Sequence, residues 1–122
     1  MEWQNKSVLI AEDEDTNFML LEEYLEPTGI KIVRAIDGIE ALKFYTERMP
    51  DLILLDIKLP RMNGYEVVNR IREHNTTIPI IAQTAYTMRG DREKILKTGC
   101  TDYISKPIEE EALLNKMRHY LS

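Results

Sequence analysis

The chain has 122 residues, 43% of them hydrophobic and 30% charged, a balance that suits one globular core and excludes a disordered tail. A formal net charge of −5, with Lys and Arg scattered along the chain, excludes the clustered cations that grip a nucleic-acid backbone. The only cysteine, Cys100, leaves no internal disulfide and no Cys-rich metal site, and fits a reducing compartment.

Met1 to Ser7 lacks the basic region and apolar run of a signal peptide. The longest purely aliphatic stretch, Leu52 to Leu55, is far short of a membrane span. We therefore expect one soluble, cytoplasmic domain over residues 1–122, with no direct contact to nucleic acid or membrane.

The first apolar run, Val8 to Ala11, reads as a buried strand. Phe18, Leu21 and Leu25 then carry helical spacing, and Pro27 and Gly29 stop that helix. Ile30 to Val33 predicts the second strand, and Asp37 and Gly38 open a helix through Ile39, Leu42 and Tyr45. After Pro50 comes the third strand, Leu52 to Leu55, followed by a helix from about Asn63 and Gly64 with Val67, Val68 and Ile71 on its inner face. Ile78 to Ala82 predicts the fourth strand, Ile95 and Leu96 the fourth helix, Tyr103 and Ile104 a fifth strand, and Leu114, Met117 and Leu121 the last helix. Such alternation favours an α/β class, a parallel sheet doubly wound by helices, because right-handed crossovers pack each helix back on the sheet. No linker, repeat or low-complexity tract divides the chain.

In an open parallel sheet, functional groups collect beyond the carboxyl ends of the strands. Here those ends are Glu12, Asp13, Glu14 and Asp15; Asp56; Gln83 and Thr84; and Ser105 and Lys106. Carboxylates held together repel one another unless a cation neutralises them, and magnesium suits a site of few oxygen ligands. The absence of an EF-hand loop argues against calcium. Asp15 fits the plainer role of an acid at a helix N-terminus. Glu12 and Asp13 abut a buried strand, so that role alone does not account for them. Asp56 lies too far upstream of Asn63 to cap the third helix, which leaves it without a structural duty. Lys106 precedes Pro107, which favours an extended conformation and a fixed direction.

The segments Val8-Leu-Ile-Ala-Glu-Asp-Glu-Asp-Thr-Asn17, Leu54-Leu-Asp-Ile-Lys-Leu-Pro-Arg-Met-Asn-Gly64, Pro79-Ile-Ile-Ala-Gln-Thr-Ala85 and Asp102-Tyr-Ile-Ser-Lys-Pro-Ile108 together resemble the response-regulator receiver family over essentially the whole chain. The wording around Glu12 to Asn17 and Thr84 to Tyr86 is most similar to receivers of hybrid histidine kinases. The resemblance implies a flavodoxin-like three-layer sandwich with five parallel strands in the order 2-1-3-4-5. It implies that Asp56 is the phosphoacceptor, and that Asp13 and Asp56 bind Mg2+ directly, with Glu12 acting through water and the Lys58 main-chain carbonyl as a further ligand. Thr84 and Lys106 match the hydroxyl and ammonium that hold the phosphoryl oxygens, Ala85 lies by the backbone donors, and Tyr103 matches the aromatic switch beside Thr84. The implied donor is a phosphohistidine on a histidine kinase or histidine phosphotransfer domain, and the reader of the switched surface is a downstream effector protein.

Such a domain is a signalling module that helps catalyse its own phosphorylation and slow dephosphorylation. Its localisation would be cytoplasmic whether it stands alone or is the cytoplasmic part of a membrane-bound hybrid kinase, and a weak dimer through the fourth and fifth helices is left open. Lys58 and Tyr86 occupy positions where the family varies, and are expected to set the phosphoryl lifetime. Glu12 replaces an aspartate found in many receivers. Rival readings fit less well: a haloacid-dehalogenase phosphatase needs a second aspartate where Lys58 stands, and a flavin phosphate would be repelled by the acids after the first strand. A pseudo-receiver acting only as an interaction module would lack part of the acceptor set. His74 and His119 have no metal-site spacing and are expected in solvent. Trp3 is either part of a loose terminus or a single apolar anchor, and Tyr24, Phe44 and Tyr45 are expected to pack.

Overall fold

The computed structural model describes residues 1–85 and 89–121, with the backbone alone for 89–91. Five strands, β1 (Ser7–Ala11), β2 (Lys31–Ala35), β3 (Leu52–Asp56), β4 (Ile80–Thr84) and β5 (Asp102–Ser105), alternate with five α-helices. These helices are α1 (Asp15–Leu25), α2 (Gly38–Arg48), α3 (Gly64–Arg72), α4 (Arg89–Thr98) and α5 (Glu110–Leu121). All strand pairs are parallel, and the order is β2-β1-β3-β4-β5.

Strand parity sorts the core into two layers, because successive side chains point to opposite faces of the sheet. Val8, Ile10, Leu52, Leu54, Ile81 and Ile104 face one way and pack with Leu21 and Leu25 of α1 and Leu113, Met117 and Leu121 of α5. Leu9, Ala11, Ile53, Leu55, Ile80 and Ala82 face the other way, against Val67, Val68 and Ile71 of α3 and Ile95 of α4. Covered on both sides, β3 and β4 are buried throughout, which is why their sequences read as apolar runs instead of alternating ones.

Local chemistry sets the element ends. α1 runs into a 3-10 turn, Glu26–Thr28, and Gly29 closes it at φ 75°, a left-handed conformation that favours glycine. The Asp37 side chain caps α2 by accepting from the Glu40 amide at 2.8 Å, while the Glu40 side chain reaches back past the cap to accept from the Ile36 amide at 2.9 Å. Asn63 caps α3 by accepting from the Glu66 amide at 3.1 Å, so Asp56 is indeed spared that duty.

Some expectations shift. β4 starts at Ile80 instead of Ile78, since Pro79 has no N–H for the ladder and only its carbonyl is used, accepting from Ile53. β2 starts one residue later than Ile30 and runs two residues beyond Val33, to span Lys31–Ala35. In α5 the buried stripe is Leu113, Met117 and Leu121, with Leu114 only half-buried, because contact with the sheet selects the i, i+4 series. Ile39 and Leu96 are exposed. Trp3 is an anchor: it is buried, and its amide donates to the Thr28 carbonyl at 2.8 Å. Tyr24 packs by the α1–α5 layer and donates its hydroxyl to the Ile108 carbonyl at 3.1 Å.

Candidate functional site

β1, β3 and β4 are neighbours in the centre of the sheet, so their carboxyl ends open into one cleft of about 350 Å3, lined by Asp13, Glu14, Asp56, Ile57, Lys58, Gln83, Thr84, Ala85 and Lys106. Carboxylate oxygens of Glu12, Asp13 and Asp56 lie within 4.8 Å of one another. Glu12 and Asp56 are buried and Asp13 is exposed, so the cluster runs from the interior of the sheet to solvent.

Glu12 and Asp56 continue the parity of Ile10 and Leu54, which aims both toward the α1–α5 layer. Glu12 accepts hydrogen bonds from the Glu14 amide at 3.1 Å and from Asn17 Nδ2. Burial pushes the Glu12 carboxyl above its ordinary pKa despite those two hydrogen bonds, and the Asp56 charge adds to the rise while Lys106 opposes it. Asp56 Oδ1 accepts from the Lys58 amide at 3.0 Å, and Asp56 Oδ2 from Lys106 Nζ at 2.9 Å. Lys106 Nζ also lies 3.4 Å from Glu12 Oε1. Burial works to lower the Lys106 pKa, but the hydrogen bond and charge of Asp56, with Glu12 behind them, outweigh it and hold the ammonium above its usual range.

Thr84 ends β4, buried, and its carbonyl accepts from the Lys106 amide at 2.8 Å, which ties the fourth and fifth strand ends together. Ala85 follows as an exposed bend at the cleft wall. Tyr103 is half-buried in β5, its ring 5.7 Å from the Arg92 guanidinium and 5.8 Å from the Lys116 ammonium. The cleft thus brings together Glu12, Asp13, Asp56, Lys58, Thr84, Ala85 and Lys106, while Tyr103, on β5, packs against the α3–α4 layer on the opposite face of the sheet from Asp56. Tyr86 lies outside the described residues. His74 and His119 are exposed and belong to no cluster of metal-ligating groups among the described residues.

Three participants carry no clear signal in the sequence. Asn17 holds Glu12 from the first turn of α1. Arg34, on the edge strand β2, donates Nε to the Glu12 carbonyl at 3.1 Å, stacks 4.5 Å from the Phe18 ring, and brings Nη2 within 2.9 Å of Asp15 Oδ1 without aligned hydrogen-bond geometry. Gln83 enters the cleft wall from β4 as a buried amide. The sequence marks it as one of the polar strand-end residues, with no role attached.

An all-oxygen set with two buried carboxylates, one of them driven upward by desolvation, is the donor chemistry of a hard divalent cation. The fold and this acidic corner define the class. Residues 8–118 match the family model described as the response regulator receiver domain, and the chain belongs to that family, a component of two-component signalling. It is 42% identical over 118 residues to the polar-differentiation response regulator DivK of Brucella anthropi, covering 95% of this chain and 96% of that protein. The receiver domain of the sensor histidine kinase PA1611 from Pseudomonas aeruginosa, solved with a magnesium ion coordinated in its active-site cleft, superposes with a TM-score of 0.87 at 32% identity, covering 95% of this chain and 97% of that one. The receiver domain of the Saccharomyces cerevisiae response regulator Ssk1, solved with the histidine phosphotransfer protein Ypd1, gives a TM-score of 0.89 at 31% identity, covering 94% and 88%. No helix among the described residues is long and apolar enough to cross a membrane.

Proposed function

We propose that this chain is a phosphoacceptor receiver whose Asp56 takes a phosphoryl group from a phosphohistidine, with magnesium bound by Asp13 and Asp56, by Glu12 through water, and by the Lys58 carbonyl. The observation that carries this reading is the Asp56 carboxylate held between the Lys58 amide and the Lys106 ammonium, inside a triad of oxygens within 4.8 Å. When bound, the metal would supply positive charge beside the carboxylates and the incoming phosphoryl oxygens.

Phosphoryl transfer asks for alignment and charge neutralisation more than for covalent help. An Asp56 oxygen forms the new bond to phosphorus as the P–N bond of the donor breaks; the bonding pair stays with the imidazole nitrogen, which takes a proton from solvent. No general base is needed, since an ionised carboxylate has no proton to lose. Lys106, already 2.9 Å from Asp56, neutralises charge on the transferred group, and backbone donors near Ala85 add to it.

The acyl phosphate brings new negative charge and acceptor oxygens next to Thr84. The Thr84 hydroxyl turns to them, Tyr103 takes up the space released, and the ring's displacement relative to Arg92 and Lys116 alters the charge pattern between α4 and α5 that an effector reads. A histidine kinase or phosphotransfer domain is the fitting donor, by analogy with the Ypd1–Ssk1 complex. A cytoplasmic site of action follows from that donor chemistry.

The test is acetyl-phosphate labelling and beryllofluoride incorporation, each with and without magnesium. Wild type is labelled only with the metal, and Asp56→Asn is not labelled. Undiminished labelling of Asp56→Asn would place the acceptor elsewhere; failure of wild type to take either reagent would leave a module that only binds partners.

A further inference from the structure

Gln83 has no part in the set of roles above, yet it lines the cleft and is fully buried. Its side chain is 0% exposed, and neither Oε1 nor Nε2 has a hydrogen-bond partner among the described residues. Buried polar groups are ordinarily satisfied, and a leucine or methionine would fill similar space without stripping water from a dipole. An amide left in that condition points to a partner that this state of the protein lacks.

Its neighbours identify the partner. Gln83 is in register with Asp56 on one side and Ile104 on the other. It shares the parity of Ile81 and Ile104, so its side chain lies on the same face of the sheet as Asp56, and Lys106 stands two residues beyond Ile104. The charged groups on that face are already engaged with one another: Asp56 Oδ1 by the Lys58 amide, Asp56 Oδ2 by Lys106, and Lys106 in turn by Asp56 and Glu12. Phosphorylation changes this. Once an Asp56 oxygen is bonded to phosphorus, the carboxylate charge moves outward to the phosphoryl oxygens, and the Lys106 ammonium has reason to follow it.

We propose that Gln83 is a positioning residue for the phosphorylated state, Nε2 donating to a phosphoryl oxygen on Asp56 and Oε1 accepting from the Lys106 ammonium. The inference rests on Asp56 being the acceptor. Gln83 then bridges the two groups whose relative placement defines the acyl phosphate, and the amide is satisfied only in that state. The unphosphorylated protein carries the desolvation cost and phosphorylation relieves it, so the residue biases the equilibrium toward the modified form.

The experiment compares wild type with Gln83→Leu and the longer, flexible Gln83→Met, using beryllofluoride with magnesium as the phosphoryl mimic. Three readouts are taken: affinity for beryllofluoride, thermal midpoint without ligand, and the side-chain amide NMR signal of Gln83. Loss of two hydrogen bonds to charged groups should weaken beryllofluoride binding by about a hundredfold or more in both variants. Removing a buried unsatisfied amide should raise the ligand-free midpoint in the same variants, and the wild-type amide signal should shift when beryllofluoride is added. Opposite signs of the two effects separate positioning from a structural role. Wild-type binding with variants that bind within about twofold of it overturns the inference while leaving Asp56 as acceptor, as does a fall in both midpoint and affinity. An amide signal unmoved by bound beryllofluoride overturns it too. Wild type that binds no beryllofluoride overturns the Asp56 reading itself.

Discussion

The Lys106 ammonium lies 2.9 Å from Asp56 Oδ2, across 50 residues of sequence, and the same nitrogen reaches Glu12 Oε1 at 3.4 Å. One cation therefore balances two buried carboxylates in the metal-free protein, and a bound divalent ion would compete with it for the same charge.

Replacing that cation gives the first prediction, with effects of opposite sign. Lys106→Met leaves Glu12 and Asp56 uncompensated, so metal-free stability should fall by about 1–3 kcal/mol, less than for a fully enclosed pair because Lys106 is partly open to water. Magnesium should bind more tightly to this variant than to wild type, since no ammonium opposes it. Denaturant unfolding with and without magnesium, together with calorimetric titration of the ion, measures both. Weaker magnesium binding in Lys106→Met would contradict the charge argument.

Arg34 holds the main chain on which Glu12 sits, through the Nε bond to the Glu12 carbonyl and the stack on Phe18 at the start of α1. Arg34→Met should lower magnesium affinity by about tenfold, the usual consequence of removing support behind a ligand. Arg34→Lys should not restore it, because a lysine lacks the planar fork that meets a carbonyl and a ring at once. Equal affinities in all three proteins, by the same titration, would mean that the β1–α1 junction is fixed without Arg34.

Gly38 opens α2 against the loop that follows Asp56: a Cβ there would collide with the Met62 carbonyl oxygen, while the Gly38 amide points to the Pro60 carbonyl at 3.3 Å. Gly38→Ala must push this loop away, and we expect a loss of about 1–3 kcal/mol in chemical unfolding. Acetyl-phosphate labelling should slow with it, since the loop carries Lys58, whose amide holds Asp56 Oδ1. Wild-type stability in Gly38→Ala would show that the contact gives way freely.

Cys100 is buried, and burial pushes its thiol from 9.0 up to about 12, with the Arg72 guanidinium pulling the other way. Alkylation at about pH 8 should be slow in the native protein and fast in denaturant. The sign of the linked stability follows from the raised value. The folded state keeps its proton where the unfolded thiol has lost it, so this contribution is whole below 9.0 and is lost as pH climbs from there toward about 12. Unfolding of wild type and Cys100→Ala across that window tests it: stability should decline more steeply in wild type.

Much of this protein can be read from its sequence, because the deciding features are local. Apolar runs bounded by Pro50 or by the Asp37-Gly38 pair mark strands and helix starts, and parity alone says that Glu12 and Asp56 lie on the face of Ile10 and Leu54. The order of acids, hydroxyl and lysine at strand ends is likewise printed in the chain. Which stripe of α5 meets the sheet was not: Leu113 and Leu114 are equally apolar, and only the docking of the helix buries the first and leaves the second half-open. Nor do local patterns tell Glu12 from Asp13; the fold buries one completely and exposes the other, and so raises the pKa of Glu12. Gln83 is the plainest case. A glutamine near a strand end reads as ordinary until the register with β3 and β5 encloses it beside Asp56 with no partner. Burial and the absence of a hydrogen bond are properties of everything that surrounds a group, and chain segments far apart in sequence supply those surroundings only once the sheet has closed.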